Sequence, residues 1–402
     1  MKTQYLRRSF QVITLLLVIN AGLGYALGWM TFGIEQFCPF GGIETLWAVA
    51  TNQSFTCAMG PFNLSIMLAL LVLTLVVRKA FCSWVCPVGT VLEWLAILGR
   101  RLRHWKAGSR AGRALGFFSP SSERDGPWRW LRLPVLALIL AFTIGTGELI
   151  FRPYDPYYVL FSAHGHEVKF WSYLVVGLIL FVGVFLPMAW CRYLCPLGGT
   201  LWPFSRIAWL RLKRSNTACT DCGKCDAACP HGIPVSKVEI VDSGECTLCM
   251  ECTEVCPSRE ALVVNAPGLP KTPVPAWTVA ILVIIASTLG YLSAGAFTYS
   301  SYEHKYTDST MPVGQIETMS FFVDGVMCVD TAITAAKQLE NNSGAVSLSA
   351  YASSNRLDIT FDSSQTNADA LVDLIEAPVW NLEASEFQFG IFKVREVKSK
   401  SQ

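Results

Sequence analysis

Two runs of closely spaced cysteines constrain this chain more than any other feature. The first run is Cys219, Cys222, Cys225 and Cys229, and the second is Cys246, Cys249, Cys252 and Cys256. A proline follows the last cysteine of each run, so both runs read C-x2-C-x2-C-x3-C-P. Thiolates are strong ligands of soft metals, so this segment is predicted to fold around metal.

The spacing is that of a bacterial ferredoxin segment with two [4Fe–4S] clusters, in which the fourth cysteine of each run reaches the other cluster. It predicts one cluster on Cys219, Cys222, Cys225 and Cys256, and a second on Cys246, Cys249, Cys252 and Cys229. Zinc also binds C-x2-C pairs. Two copies of one run, each closed by C-P, favour iron–sulfur clusters and therefore electron transfer.

The rest of the chain is too apolar for an ordinary soluble protein, since 52% of its 402 residues are hydrophobic. Five stretches approach the length of about 20 apolar residues that crosses a bilayer core. We place these spans at residues 10–29, 62–77, 133–150, 170–188 and 276–296. The first lacks a convincing cleavage site, so we expect a retained anchor rather than a signal peptide.

Lysine and arginine are unevenly distributed between the loops, which predicts the orientation in the membrane. The segments 78–132 and 192–214 are basic, whereas 30–61 has no Lys or Arg. We therefore expect a multi-pass protein of a bacterial inner membrane, with the N-terminus and the clusters in the cytoplasm and the last hundred residues outside. Because orientation explains the basic loops and no phosphate-binding loop occurs, nucleic-acid binding and nucleotide chemistry are not expected.

The membrane part contains two similar halves, each ending in a C-x3-C-P sequence: Cys82 with Cys86, and Cys191 with Cys195. A parallel repeat of this kind often brackets a shared site. If the span continues through it, each pair lies on one helix face, and the proline then ends or kinks the helix. The four thiols are a candidate redox relay, metal site or redox-active disulfide. The alternative is small side chains that pack between helices.

Other candidate residues fall in the predicted outer loops. Cys38 and Cys57 lie in an oxidising compartment and are predicted to form a disulfide, with two free thiols as the alternative. Carboxylates and histidines near the outer edge are candidate proton acceptors: Glu35, Glu148, Asp155, His164 and His166.

The composition divides the chain into four parts: a membrane domain at 1–206, the ferredoxin segment at 207–266, a linker with the fifth span at 267–300, and a domain at 301–402. In the last part, strands are predicted at 316–326, 346–352, 357–361 and 387–397, and helices at 329–339 and 368–376. This order, βαββαβ, predicts an α+β sandwich of the ferredoxin-like fold without a cluster.

With both C-x3-C-P motifs at the ends of spans and a two-cluster segment after them, residues 5–300 resemble the NapH/MauN family of membrane ferredoxins. Relatives include the membrane part of NosR, and CcoG. The resemblance implies electron transfer between the quinone pool, cytoplasmic clusters and an extracytoplasmic redox partner. Quinol oxidation would also explain the candidate proton acceptors.

The C-terminal domain is similar to heavy-metal-associated domains, whose metal loop reads G-M-x-C-x-x-C. Here Met327 and Cys328 are present, but Thr331 occupies the position of the second cysteine. One thiolate lacks the partner that a linear Cu(I) site needs, although Met327 could add a soft ligand. Metal binding at this loop is therefore a weak prediction, and a domain that docks a partner is the alternative.

Together these features predict an electron-transfer component of a quinol-dehydrogenase system. Two alternatives remain open. One is a metal reductase, for Cu(II), linked to copper handling. The other is a non-enzymatic redox sensor that reports the state of its clusters to a partner protein.

Overall fold

The computed structural model describes residues 2–27, 37–52, 60–105, 126–146, 151–162, 168–258, 260–268, 273–296, 300–306, 315–326, 329–340, 344–381, 386–388 and 390–399. The chain divides into two compact units. The first comprises residues 1–40 and 66–292, and the second residues 41–65 and 293–402. The first unit thus contains both the predicted membrane helices and the ferredoxin segment.

Long apolar helices alternate with short ones over the first 292 residues. The described helices there are α1 (Lys2–Ala26), α2 (Gly41–Asn52), α3 (Gly60–Val77), α4 (Ala80–Trp84), α5 (Pro87–Trp105), α6 (Arg132–Thr146), α7 (Pro156–Phe161), α8 (Phe170–Phe185), α9 (Pro196–Arg206), α10 (Lys224–Ala228), α11 (Glu251–Glu254) and α12 (Ala276–Leu292). Three spans among the described residues are long and apolar enough to cross a membrane. They are Thr3–Gly24 in α1, Gly60–Val77, which is α3, and Trp128–Gly145, which joins the turn Trp128–Leu131 to α6. The apolar helices α8 and α12 are shorter.

The ferredoxin segment is built on a small antiparallel sheet. Its strands are β1 (Arg211–Arg214), β2 (Ile240–Val241) and β3 (Leu262–Asn265), in the order β2-β1-β3. Leu212 of the central strand pairs with Val241 on one side and with Val264 on the other. These three side chains are buried in a core that also includes Trp84 and Val279, so the segment packs directly on the helices of its own unit.

Arg78 joins the end of the first C-x3-C-P half to this sheet. It follows the last residue of α3, adopts a left-handed backbone with a φ of 57°, and is 0% exposed. Its guanidinium donates hydrogen bonds to the carbonyls of Leu210 at 3.1 Å, Ser243 at 3.0 Å and Val241. Arg78 is the first residue of the basic segment 78–132, and it is a buried structural residue.

The second unit contains a five-stranded antiparallel sheet. The strands are β4 (Tyr302–Lys305), β5 (Ile316–Asp324), β6 (Ala345–Tyr351), β7 (Arg356–Asp362) and β10 (Lys393–Ser399), in the order β10-β5-β7-β6-β4. A separate hairpin joins β8 (Val379–Asn381) to β9 (Glu386–Gln388). Helices α13 (Val329–Leu339) and α14 (Ala368–Ile375) pack on the sheet through Leu339 and Leu371, which share a core with Phe321 and Ile359. The relation of this unit to heavy-metal-associated domains stays a prediction.

We expect Arg78→Met to lower the free energy of unfolding by on the order of 3 kcal/mol, because it leaves three carbonyls without their buried donor. The measurement is thermal unfolding of purified protein in detergent. Arg8→Met changes an exposed arginine and is the control. Equal melting temperatures for the two variants would contradict the structural role of Arg78.

Candidate functional site

The four cysteines predicted to hold the second cluster line one cavity. They are Cys229, Cys246, Cys249 and Cys252. The remaining wall is mainly apolar and includes Leu212, Ile233, Val235, Val241, Leu248 and Met250. The Ile233 amide donates a hydrogen bond to Cys229 Sγ at 3.4 Å. A ring of thiols in an apolar shell with an amide donor to sulfur is the environment that iron–sulfur clusters occupy, so these residues fit a [4Fe–4S] cluster.

The cysteines predicted to hold the first cluster lie nearer the surface. Cys222 is exposed, Cys219 and Cys256 are half-buried, and Cys225 is buried. A hydrogen bond from the Lys224 amide is the main cause that lowers the pKa of Cys222, whereas burial raises the pKa of Cys225 to about 11. The Cys252 thiol also interacts electrostatically with Cys225, so the two cysteine sets are neighbours.

Among the described residues, no three His, Cys, Asp or Glu side chains converge closely enough to bind a single metal ion. The eight cysteines of the two runs belong to those residues. In a cluster each cysteine binds a different iron atom, so the ligands surround the centre and stand further apart than ligands of one ion.

A second, larger cavity of about 600 Å³ lies in the same unit and is lined by all four C-x3-C-P cysteines. The thiols of the two pairs are electrostatic neighbours in every cross combination: Cys82 with Cys191 and Cys195, and Cys86 with Cys191 and Cys195. The structure thus brings the two halves of the predicted duplication together at one place. We refer to this space as the central cavity.

Neither cysteine pair continues a membrane span, so the condition under which each pair would lie on one helix face is not met. Helix α3 ends at Val77, the backbone turns at Arg78, and Cys82 lies on the short helix α4. In the other half, Cys191 lies in a π-helical turn, Trp190–Leu194. Both second cysteines fall outside helices, because the residue before a proline is pushed towards extended backbone. That geometry lets Cys195 start a new helix instead of ending an old one.

Cys86 and Cys195 sit just before the first residue of helices α5 and α9, with Pro87 and Pro196 at the first helical position. Cys195 Sγ accepts a hydrogen bond from the Gly198 amide at 3.4 Å. The Cys86 thiol likewise accepts from the Gly89 amide. The partial positive charge of a helix N-terminus and these amide donors both favour negative charge on the sulfur.

The glycine three residues after each of these cysteines also allows a close approach. A Cβ on Gly89 would stand 2.3 Å from the Cys82 carbonyl oxygen, and one on Gly198 would stand 3.2 Å from that of Cys191. The motif is therefore C-P-x-G rather than C-P alone. The glycines were visible in the sequence but were not interpreted, because their role depends on the folding of each pair into one compact turn.

The central cavity and the cavity of the second cysteine set share two wall residues, His231 and Thr247. His231 is 3% exposed, and neither ring nitrogen has a hydrogen-bond partner among the described residues. Burial, followed by the nearby charge of Lys79, lowers the pKa of His231 to about 3. The two cavities thus adjoin at His231 and Thr247.

Residues from the predicted outer loops reach the central cavity as well. Cys38 and Asp155 line it, and Asp155 interacts electrostatically with Cys86 and Cys195. Asp155 also caps helix α7 by accepting from the Tyr157 amide at 3.1 Å. The structure thus brings Asp155 close to the cysteine pairs, and its position at the outer edge of the membrane stays a prediction.

Several predicted site residues lie outside the described part of the chain. They are Cys57, the proton-acceptor candidates Glu35, Glu148, His164 and His166, and the weak metal candidates Met327 and Cys328. The Cys38–Cys57 disulfide and the metal loop of the C-terminal domain stay predictions.

Family models match both regions of interest. One described as a 4Fe-4S binding domain matches residues 59–106 and again residues 168–216. The cysteines of these two segments are the C-x3-C-P pairs. Another, described as a 4Fe-4S dicluster domain, matches residues 211–257, which contain both cysteine runs.

Curated relatives match up to 64% of the chain. The putative electron transport protein YccM of Escherichia coli is 31% identical over 280 residues, which cover 64% of this chain and 72% of YccM. The ferredoxin-type protein NapH of Haemophilus influenzae is 28% identical over 45% of this chain and 60% of its own length. The methylamine utilization ferredoxin-type protein MauN of Methylobacillus flagellatus is 27% identical over 38% and 48%, respectively. No solved structure matches the chain significantly.

We expect Gly89→Ala to destabilise the protein more than Gly198→Ala, by about 1–3 kcal/mol. The added methyl group would overlap a backbone carbonyl at position 89, but would make only a tight contact at position 198. The two variants make the same change in equivalent motifs, so each controls for the other in thermal unfolding. A larger loss for Gly198→Ala would contradict the described packing of the turns.

Proposed function

The chain belongs to the NapH/MauN-type family of membrane ferredoxins, and on this premise we propose that it passes electrons between the quinone pool and a soluble redox partner. It is an iron–sulfur electron-transfer protein, and its clusters, when bound, take up and release single electrons. We also propose which molecules exchange electrons with it, where its redox centres lie and how it is oriented in the membrane.

The common wall of the two cavities is the observation that carries the proposal. His231 and Thr247 separate the second cysteine set from the central cavity, and Cys252 is an electrostatic neighbour of Cys225 in the first set. The sites thus form a series from exposed Cys222 to the central cavity. Electrons exchanged with a soluble partner would enter or leave at the Cys222 end.

The central cavity has the character of a site for a quinone head group. Its walls are mostly apolar, with few polar side chains, among them Lys79, Asp155 and His231. Ligand sites of this kind combine apolar walls with a small number of polar groups that orient the ligand. Oxidation of a quinol releases two electrons and two protons, and Asp155 is the predicted proton acceptor that lines this cavity.

We further propose that α1, α3, α6, α8 and α12 all cross the inner membrane, with the clusters on the cytoplasmic side and the C-terminal domain outside. Helices α8 and α12 are 16 and 17 residues long, and α6, with 15 residues, belongs to an 18-residue apolar span only together with the turn before it, at Trp128–Leu131. Such lengths suffice only for a thin or locally adapted bilayer. The uneven distribution of Lys and Arg supports the orientation.

The test is anaerobic mixing of reduced protein with a short-chain quinone, followed by the visible absorbance of the clusters. We expect Cys246→Ala, which removes a ligand of the second cluster, to slow oxidation by quinone about tenfold or more. Ferricyanide, a small soluble oxidant, should still oxidise the first cluster of this variant. Thr217→Ala, an exposed change in the same segment, is the control and should react like the unmodified protein.

Two outcomes would contradict the proposal. If quinone oxidises the Cys246→Ala variant at the normal rate, electrons do not pass through the second cluster on their way to quinone. If the reduced protein reacts with Cu(II) but with no quinone, the metal-reductase alternative replaces it.

A further inference from the structure

We propose that Cys82, Cys86, Cys191 and Cys195 together hold a third iron–sulfur cluster, at the boundary between the two halves of the membrane part. The site itself is inferred from these four thiols. Its role as a relay between the second cluster and the quinone pool rests on the proposed function.

The ligand set is the first argument. Four cysteines, two from each half, surround one cavity, and each thiol of one pair is an electrostatic neighbour of both thiols of the other. Four cysteines are the complete set for either a [2Fe–2S] or a [4Fe–4S] cluster. No three of them converge on one point, which disfavours a single metal ion at this place.

The second argument is that fixed partners offset part of the cost that burial imposes on negative charge at these sulfurs. Cys86 and Cys195 accept amide hydrogen bonds at helix N-termini. The ammonium group of Lys79, which is buried, interacts with Cys82, Cys191 and Cys195. A cluster bound to four thiolates carries net negative charge, so amide donors and a buried cation are what such a site needs.

The third argument is a shared local construction. The sequence C-P-x-G occurs at residues 86–89 and 195–198, and also at 229–232, where Cys229 is a predicted ligand of the second cluster. Both Cys195 and Cys229 have an extended backbone before the proline, and both sulfurs accept an amide hydrogen bond of 3.4 Å. The two places thus share the C-P-x-G sequence and an amide donor to sulfur, and the donor is the glycine itself at Cys195 and the residue after the glycine at Cys229.

The position of the third site beside the second cluster indicates a role in electron transfer. The central cavity is separated from the cavity of the second cysteine set by His231 and Thr247. A third centre here would exchange one electron at a time with the second cluster, and no bond would be made or broken. The centre would thereby carry electrons from the ferredoxin segment into the membrane part.

The experiment is iron and sulfide analysis of anaerobically purified full-length protein, combined with EPR during a redox titration. Two [4Fe–4S] clusters account for about eight iron atoms per chain, and a third cluster would raise this to about ten or twelve. We expect Cys82→Ser and Cys191→Ser each to lose the additional iron while the EPR signals of the two ferredoxin clusters persist. Thr217→Ala, the exposed control used above, should keep all the iron.

About eight iron atoms in the unmodified protein, with the four thiols recovered as free cysteines, as disulfides or with bound copper, would overturn the proposal. Additional iron that persists in both serine variants would also overturn it. Because this count needs no quinone, its result is independent of turnover. Additional iron without any reaction with quinone would leave the third cluster in place and refute the proposed electron path.

Discussion

The loop that carries the second cysteine run has almost no regular structure, so its shape depends on hydrogen bonds from elsewhere in the unit. Three side chains from α1 and α4 donate to three successive carbonyls of this loop: Gln4 to Cys249 at 3.0 Å, Ser83 to Thr247 at 2.9 Å and Trp84 to Leu248 at 3.2 Å. Cluster ligands must be held in place by their surroundings. In this protein those surroundings include the membrane helices, and Ser83 and Trp84 lie within the first C-x3-C-P sequence itself.

Buried ion pairs reinforce this docking. Glu245 precedes the second run and pairs with Lys79 and Arg132. Burial disfavours its ionised form, but the two cations outweigh that effect and hold the pKa of Glu245 well below its usual range. The carboxylate therefore stays ionised at neutral pH. Since breaking a buried pair by removal of one partner typically costs about 3–5 kcal/mol, these contacts fix the loop relative to the helices.

A second network of buried ion pairs links α1 to α5 and to α11. Arg7 donates to both carboxylate oxygens of Glu93 on α5, at 2.7 and 2.6 Å, and to Glu251 on α11 at 2.8 Å. Glu251 lies between two ligands of the predicted second cluster, Cys249 and Cys252. One arginine thus couples a membrane helix, the helix after the first C-x3-C-P motif and the cluster loop.

The sequence allowed prediction of what depends on local spacing and failed where long-range contacts decide. The cysteine runs and the apolar stretches could be recognised because spacing and length alone define them. The contacts of Arg78 could not be predicted, because charge counts do not reveal which arginines find carbonyl partners more than a hundred residues away. The approach of Asp155 to Cys86 and Cys195 could not be predicted either, since a loop that folds inwards has the same composition as one that stays at the surface.

The arrangement of the sites also follows from two opposing requirements, which are to shield the thiols from solvent and to leave one edge accessible to a protein partner. Thiols in an apolar cavity are shielded, but a protein partner needs one accessible edge. The chain resolves this by exposing Cys222 and burying Cys249, so exposure decreases from the first set to the second. Beyond the second set, the thiols of the central cavity are enclosed by elements from both halves of the membrane part. A duplicated membrane domain can form such a site where one hairpin cannot, because each half supplies two sulfurs and the walls that cover the other pair.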